Sequence, residues 1–261
     1  MRLICILLCS LMAYTASAQT GNGRRKKDRV PSYFGLQIRP VFPTRFIGES
    51  EITLEETDED KIYFTSTMSQ RVGYSFGATV RAGLGEFISL ETGINFTQRN
   101  FDITYAIPDS NIVGSNDLSF ISYDIPINAL FYIRLADKWY MNASLGVALN
   151  FSPTHVKTTS HPETYHYISH SGYVTSKFSV GLNANVGFEF RTEKIGFFYL
   201  GGSANVPFKP IFDLVVDYNY QGYHSQEVGG VDGSFFSLDV KYFFPNIRNK
   251  GTQPNQGPIV Q

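Results

Sequence analysis

Residues 178 to 191 read FSVGLNANVGFEFR, in which Phe178, Val180, Leu182, Ala184, Val186, Phe188 and Phe190 alternate with Ser179, Gly181, Asn183, Asn185, Gly187, Glu189 and Arg191. Successive side chains of a β-strand point to opposite faces, so this period of two predicts a strand with one oily and one polar side. The same pattern runs through Trp139 to Ser152. It recurs from Ile121 to Arg134, where Asp124, Asn128, Tyr132 and Arg134 belong to the polar set. Weaker segments in the same phase are Phe34 to Ile38, Val72 to Ala82, Ile88 to Phe96, Phe198 to Phe208 and Leu238 to Phe244. Together these predict eight strands, and no segment of useful length carries a helical period. Pro126 falls in the middle of its strand and removes a ladder donor, which predicts a bulge or one missing hydrogen bond there.

The connections between these segments alternate in length. Those at 84–86, 136–138 and 192–194 are short, whereas 44–70, 100–117, 153–173 and 210–233 are long and polar. Short turns at one end and long loops at the other are the pattern of a transmembrane barrel, not of a soluble sandwich. The polar face is built of Gly, Ser, Asn and Thr with single charges, which suits a crowded interior better than bulk water. The expectation is an all-β fold, an eight-stranded antiparallel transmembrane β-barrel over residues 33–245 with short periplasmic turns and long extracellular loops. A strand of this length reaches roughly 45 Å, enough to cross a bilayer when tilted. Aromatics collect at strand ends: Phe34, Phe87, Trp139, Phe190, Phe198, Tyr242 and Phe244 at one level, Phe42, Phe96, Phe151, Phe178 and Phe208 at the other. These are candidates for two interfacial girdles.

A barrel of eight strands has an interior just wide enough to be filled by side chains. The inward phase places Arg39, Arg81, Glu91, Arg99, Asp124, Arg134, Glu189, Arg191, Asp239 and Lys241 in it or at its mouths. Buried charges need partners, so an ion-pair network is expected among them. The alternative is an ion-selective passage lined by the same groups.

A net charge of −1 carries no basic excess, which excludes nucleic acid as an expected partner. At the N-terminus, Arg2, the apolar run Leu3 to Met12 and the small residues Ala16, Ser17 and Ala18 before Gln19 read as a signal peptide over residues 1–18, cleaved between Ala18 and Gln19. Both cysteines, Cys5 and Cys9, lie inside it, so the mature chain has no thiol for catalysis or metal binding on this reading. Residues 19–32, with Arg24, Arg25, Lys26, Lys27 and Arg29, read as a basic periplasmic linker, and residues 246–261 as a periplasmic tail. No cofactor is expected.

The ordered motifs FGLQIRP, YDIPINALFYI, GVALNF and the terminal SLDVKYFF resemble the PorT-like outer-membrane β-barrel family of Bacteroidota, over nearly the whole mature chain. The YDIP stretch, residues 123 to 126, is the most suggestive. The resemblance implies residence in a Gram-negative outer membrane among its lipids and lipopolysaccharide. It also implies insertion by the barrel assembly machinery, with Leu238, Val240, Tyr242 and Phe244 matching the final-strand signal. Some relatives support protein secretion, so secretion-system partners are implied at family level.

Four histidines, His155, His161, His166 and His170, fall in one long connection beside Glu163, with His224 in another. Imidazole ligates Zn²⁺ and Cu²⁺, but the spacings match no defined metal site, and solvated loop histidines are the plainer reading. The acidic run Glu49, Glu51, Glu55, Glu56, Asp58, Glu59 and Asp60 reads as a solvated loop. Ser152 with His155, or Ser169 with His170, are the candidates for a lipid-modifying enzyme, without triad or elbow spacing. The expected function is that of a non-enzymatic outer-membrane protein acting through its extracellular loops, by adhesion, partner binding or support of envelope transport. A narrow solute channel and a lipid-modifying enzyme are the alternatives.

Overall fold

Among the described residues, alternation of apolar and polar side chains is carried by thirteen antiparallel strands instead of eight. The computed structural model describes residues 32–245 except 45–47, 59–60, 85–87, 163–164 and 193, and the backbone alone of 58, 61 and 62. The signal peptide, nearly all of the basic linker, the tail, Phe87, Glu59, Asp60 and Glu163 lie outside the described residues. The strands in chain order are β1 (Ser32–Pro43), β2 (Glu51–Asp58), β3 (Lys61–Gly83), β4 (Ile88–Ile107), β5 (Ile112–Arg134), β6 (Trp139–Phe151) and β7 (Val156–Ser160). They continue as β8 (His166–Tyr173), β9 (Phe178–Thr192), β10 (Gly196–Pro207), β11 (Phe212–Tyr220), β12 (Tyr223–Val231) and β13 (Phe235–Phe243).

Nine strands form one sheet in the order β1-β13-β10-β9-β6-β5-β4-β3-β2. β1 also pairs along its other edge with β3, from Ser32 opposite Ala82 to Val41 opposite Gly73, so the order of the eight alternating segments returns to its start. The result is an all-β antiparallel barrel-like fold. Opposite Pro126 the ladder to β4 lapses between Thr92 opposite Ile127 and Asn95 opposite Asp124, then resumes in unchanged register. That is a local loss of bonding, with no bulge.

The five further strands correct the expectation of long loops. β2 forms a hairpin with β3, and β12-β11-β8-β7 form a second sheet. Segment 100–117 is almost wholly strand, turning through a single 3-10 turn at Pro108–Ser110 and Asn111 at φ 52°. These segments escape a reading based on an oily exterior because their alternation is inverted. On β4, odd positions face inward throughout, but Ser89, Glu91, Asn95, Thr97 and Arg99 give way to Phe101, Ile103, Tyr105 and Ile107. On β5, inward Asp124 and Ser122 give way to Phe120 and Leu118.

β3 makes the same change by shifting phase. Its register to β4 steps from Arg71 opposite Asn100 to Tyr74 opposite Gln98, so one extra residue sits on β3. A Cβ on Gly73 would lie 2.1 Å from the Gln98 carbonyl oxygen, which is why glycine occupies the bulge. Below it, Tyr74, Phe76 and Val80 are exposed; above it, Phe64 and Met68 are buried.

The upper parts of β3, β4 and β5 pack face to face with the second sheet. Phe64, Met68, Phe101, Ile103 and Phe120 meet Ile168, Phe212, Leu214, Val216 and Tyr218 in one apolar core, with Ile52 and Leu54 of β2 at its edge. We call this sandwich the cap. The molecule thus has two cores, a polar one inside the barrel-like sheet and an apolar one in the cap.

Candidate functional site

The ends of β3, β4, β9 and β13 nearest the short turns bring five predicted interior charges together. Arg81 donates through Nη2 to Glu91 Oε2 at 2.6 Å and through Nη1 to Glu189. Arg191 donates to Glu189 Oε2 through Nε at 3.0 Å and Nη2 at 2.8 Å, and Lys241 Nζ donates to Glu91 Oε1 at 2.6 Å. All five are at most 5% exposed, so each carboxylate is shared by two cations out of contact with water. Such a cluster offsets the cost of desolvation only while every member has its partner.

Further along the interior, Asp124 accepts from Ser122 Oγ at 3.2 Å and from Thr97, with Arg39 Nη2 at 3.9 Å from it. Asp239 accepts from Ser203 Oγ at 3.0 Å, Ser237 Oγ at 2.8 Å and Asn185 Nδ2 at 2.8 Å. Arg99 lies at the junction of the two cores, its guanidinium 5.0 Å from the Phe235 ring centre. Arg134 stands apart from this network. It pairs with Asp137 at 3.0 Å in the turn after β5 and is partly exposed, because its position is the last of its strand.

Sequence reasoning missed the aromatic half of this cluster. Phe197, Tyr199 and Phe243 cluster with Tyr33 inside the same end. Arg81 stacks 4.3 Å from the Phe243 ring centre, Arg191 lies 4.1 Å from that of Tyr140, and Lys241 5.0 Å from that of Tyr199. Such stacking holds a desolvated cation in place. Tyr199 lies across Gly187 and Gly201, where a Cβ would come within 2.4 and 2.0 Å of its hydroxyl. The available signal was phase: Phe197, Tyr199 and Phe243 alternate with the outward Phe198 and Tyr242.

The histidines are dispersed through the cap, not gathered. His170 is fully buried, and burial holds its imidazole well below the ordinary value, at about 4. Asn116 Nδ2 donates to its Nδ1 at 3.4 Å while Ser160 Oγ donates to Asn116 Oδ1 at 2.6 Å, so Nε2 carries the proton and donates to Ser66 Oγ at 3.0 Å. One neutral ring therefore ties β3, β5, β7 and β8. His166 is stacked 4.1 Å from Tyr220 and shares a hydrogen bond of 3.1 Å between its Nδ1 and the Tyr218 hydroxyl, His155 accepts from the Val174 amide at 2.9 Å, and His161 packs edge-on to Tyr167. Among the described residues no group of three or more His, Cys, Asp or Glu could hold a metal ion. Ser169 donates to Asp217 and not to His170, and the acidic run is largely strand β2 with Glu51 and Glu55 outward and Glu56 accepting from Tyr223 at 2.5 Å.

A family model described as the outer membrane protein beta-barrel domain matches residues 44–213, most of the chain. The chain belongs to the outer membrane protein β-barrel domain family. Among solved structures it is similar to the outer membrane protein OprG from Pseudomonas aeruginosa, at 10% identity and a TM-score of 0.48, covering 83% of this chain and 97% of that one. No curated protein matches the sequence.

In this outer-membrane β-barrel family member the exterior aromatics form continuous ring contacts at two levels. Near the cap, Tyr74, Phe96, Tyr123, Phe151 and Phe178 run across β3, β4, β5, β6 and β9, with centres 6.2, 5.9, 6.4 and 5.0 Å apart in turn. At the short-turn end, Phe34, Phe244, Tyr242 and Phe198 make a second chain, and Trp139 meets Phe190 at 5.1 Å. Between the levels the outward side chains are nearly all apolar, Thr92 excepted; they include Ile38, Ile94, Leu145, Val186 and Leu200, each more than half exposed.

Proposed function

We propose that β1, β3, β4, β5, β6, β9, β10 and β13 close into a transmembrane barrel in a Gram-negative outer membrane, and that the protein acts without catalysis through its extracellular cap. The observation that carries this reading is the inversion along β3, β4 and β5. The same strands are oily outside and polar inside up to the Tyr74–Phe178 aromatic level, and polar outside and oily inside beyond it. An exterior that changes solvent at one height is what a membrane boundary produces. Below that boundary, the Arg81–Glu91–Glu189–Arg191–Lys241 cluster and its aromatic rings fill the interior, which favours a plug over a passage.

The role of the cap is adhesion, partner binding or support of envelope transport. Narrower membership of the PorT-like Bacteroidota barrels rests on the quoted motifs, and with it a secretion-system partner and delivery by a signal peptide and the barrel assembly machinery. The purified full-length protein in planar bilayers should give no steady unitary currents; such currents would establish the channel alternative in its place. Photo-crosslinking residues at the exposed Tyr165, Tyr173 and Val113 should capture an outer-membrane or extracellular partner in cells. A deletion strain with altered lipid A mass spectra would favour the lipid-modifying enzyme.

A further inference from the structure

Inside the barrel-like sheet, on the cap side of the Arg81–Glu91 cluster, two buried guanidiniums stand with one buried carboxylate. The cluster itself sets Arg81, Arg191 and Lys241 against Glu91 and Glu189, and Asp239, two residues before Lys241 on the same face of β13, offsets its excess. Above it, Arg39 and Arg99 are 6% and 1% exposed, with Asp124 between them in charge. Asp124 lies 3.9 Å from Arg39 Nη2 and accepts from Thr97 and Ser122. Arg99 reaches it only through Ser122, whose Oγ accepts from Arg99 Nη1 at 3.4 Å while donating to Asp124 Oδ1. Asp232 is the other carboxylate whose field reaches Arg99, but it is partly exposed between β12 and β13, where it accepts from the Ser234 amide and hydroxyl and from the Glu49 amide.

Arg81 and Arg191 show how a guanidinium is held in this interior. Each turns its Nε and Nη2 edge onto a single carboxylate oxygen, Arg81 onto Glu91 Oε2 at 3.0 and 2.6 Å and Arg191 onto Glu189 Oε2 at 3.0 and 2.8 Å. The same edge of Arg99 is buried, and neither nitrogen has a hydrogen-bond partner in the protein. Gln70, opposite Phe101 and so diagonal to Arg99 on the inward face, is 7% exposed, and its side-chain amide is also without a partner. The Phe235 ring lies 5.0 Å from the Arg99 guanidinium.

Burying a cation without a counter-charge costs far more than burying a neutral polar group. Water on that edge would meet its hydrogen bonds and leave its charge. An anion meets both, and the local excess of one charge calls for a monovalent one. Two N–H groups converging on one point, as they do on single oxygens at Arg81 and Arg191, suit an anion of one atom. We infer that Arg99 holds a monatomic monovalent anion such as chloride between the two cores, gripped by Nε and Nη2 and bordered by Gln70. This stands apart from the role proposed for the cap.

Bromide serves as the probe because it scatters anomalously. Crystals of the full-length protein refolded in detergent micelles with sodium bromide should show an anomalous peak in contact with Arg99 Nε and Nη2. In urea titrations at constant ionic strength, with bromide replacing gluconate, each tenfold rise in bromide above its dissociation constant should raise the folding equilibrium constant about tenfold. Arg99→Gln should abolish the peak and the dependence. Should that variant fail to refold, Gln70→Leu, which leaves the charge in place, is expected to weaken bromide binding about tenfold. The inference is overturned by the absence of a peak at Arg99, by Asp124 or water on that edge instead, or by a peak with no bromide dependence, which would be an adventitious ion only. A dependence unchanged in the variants would overturn it equally.

Discussion

Lys241 of β13 and Glu91 of β4 meet at 2.6 Å although 150 residues separate them in the chain. The bond spans the interior past β1 and β3, so it exists only when the sheet has curled back on itself.

Glu91 also accepts from Arg81, so its loss strands the buried Lys241 and takes from Arg81 one of its two carboxylates, leaving it Glu189. Glu91→Leu should cost about 3–5 kcal/mol, the usual penalty for breaking a buried pair from one side. Lys241→Met should cost less, because Glu91 keeps Arg81. Urea titration of the protein in vesicles, followed by tryptophan fluorescence from Trp139, measures both. Equal losses would mean that Arg81 alone does not satisfy Glu91.

The cap should be acid-sensitive through His170. Its imidazole is held at about 4 in the folded state, below the ordinary 6.5, so the unfolded chain binds the extra proton first. Stability from the neutral ring is complete above about pH 6.5 and declines as the pH falls toward about 4, with no further loss below; the span corresponds to about 3 kcal/mol. Protonation would place a second N–H against the Asn116 amide, whose oxygen is already held by Ser160. Amide exchange of Ile168 and Val216 should accelerate over that interval, and His170→Gln should flatten the dependence. An unchanged profile in the variant would assign the sensitivity to another group.

Gly73 should tolerate no side chain. Gly73→Ala puts a methyl 2.1 Å from the Gln98 carbonyl, and forcing the strands apart should cost about 1–3 kcal/mol. The damage should be local, appearing as faster amide exchange from Tyr74 to Phe76 and from Phe96 to Gln98. A variant with native exchange there would show that the bulge can relax.

The barrel-like part was legible because stretches such as Phe178 to Arg191 keep one script from end to end, and an uninterrupted period of two needs no tertiary information. The lapse opposite Pro126 was legible for a similarly local reason, the missing donor. The cap was not. Asn100 to Ile107 alternates just as strictly, but with its apolar residues on the inward phase, and a reading that looks for an oily exterior takes the outward Asp102 and Thr104 for loop. At β3 the bulge adds a phase shift that only pairing with β4 reveals. The interior cluster was half legible: charges at inward positions announce a network, whereas inward Phe243 between outward Tyr242 and Phe244 reads as one aromatic run until the barrel-like sheet assigns it a side.

That inversion of scripts makes the placing of the exterior directly testable by one substitution at two heights. Leu145 projects from the middle of β6, 56% exposed and flanked across the ladder by Ala129 and Ala184. If lipid surrounds it, Leu145→Arg must bury a guanidinium in hydrocarbon and should cost about 2–4 kcal/mol. Ser119 is equally outward but on the cap side of the aromatic level, next to Asn100, where water solvates a charge. Ser119→Arg should therefore change stability by less than about 0.5 kcal/mol. Folding free energies from urea titration into phosphatidylcholine vesicles give both. Matching costs at the two positions would mean that one solvent bathes the whole exterior, and the membrane boundary at Tyr74, Phe96, Tyr123, Phe151 and Phe178 would have to be abandoned.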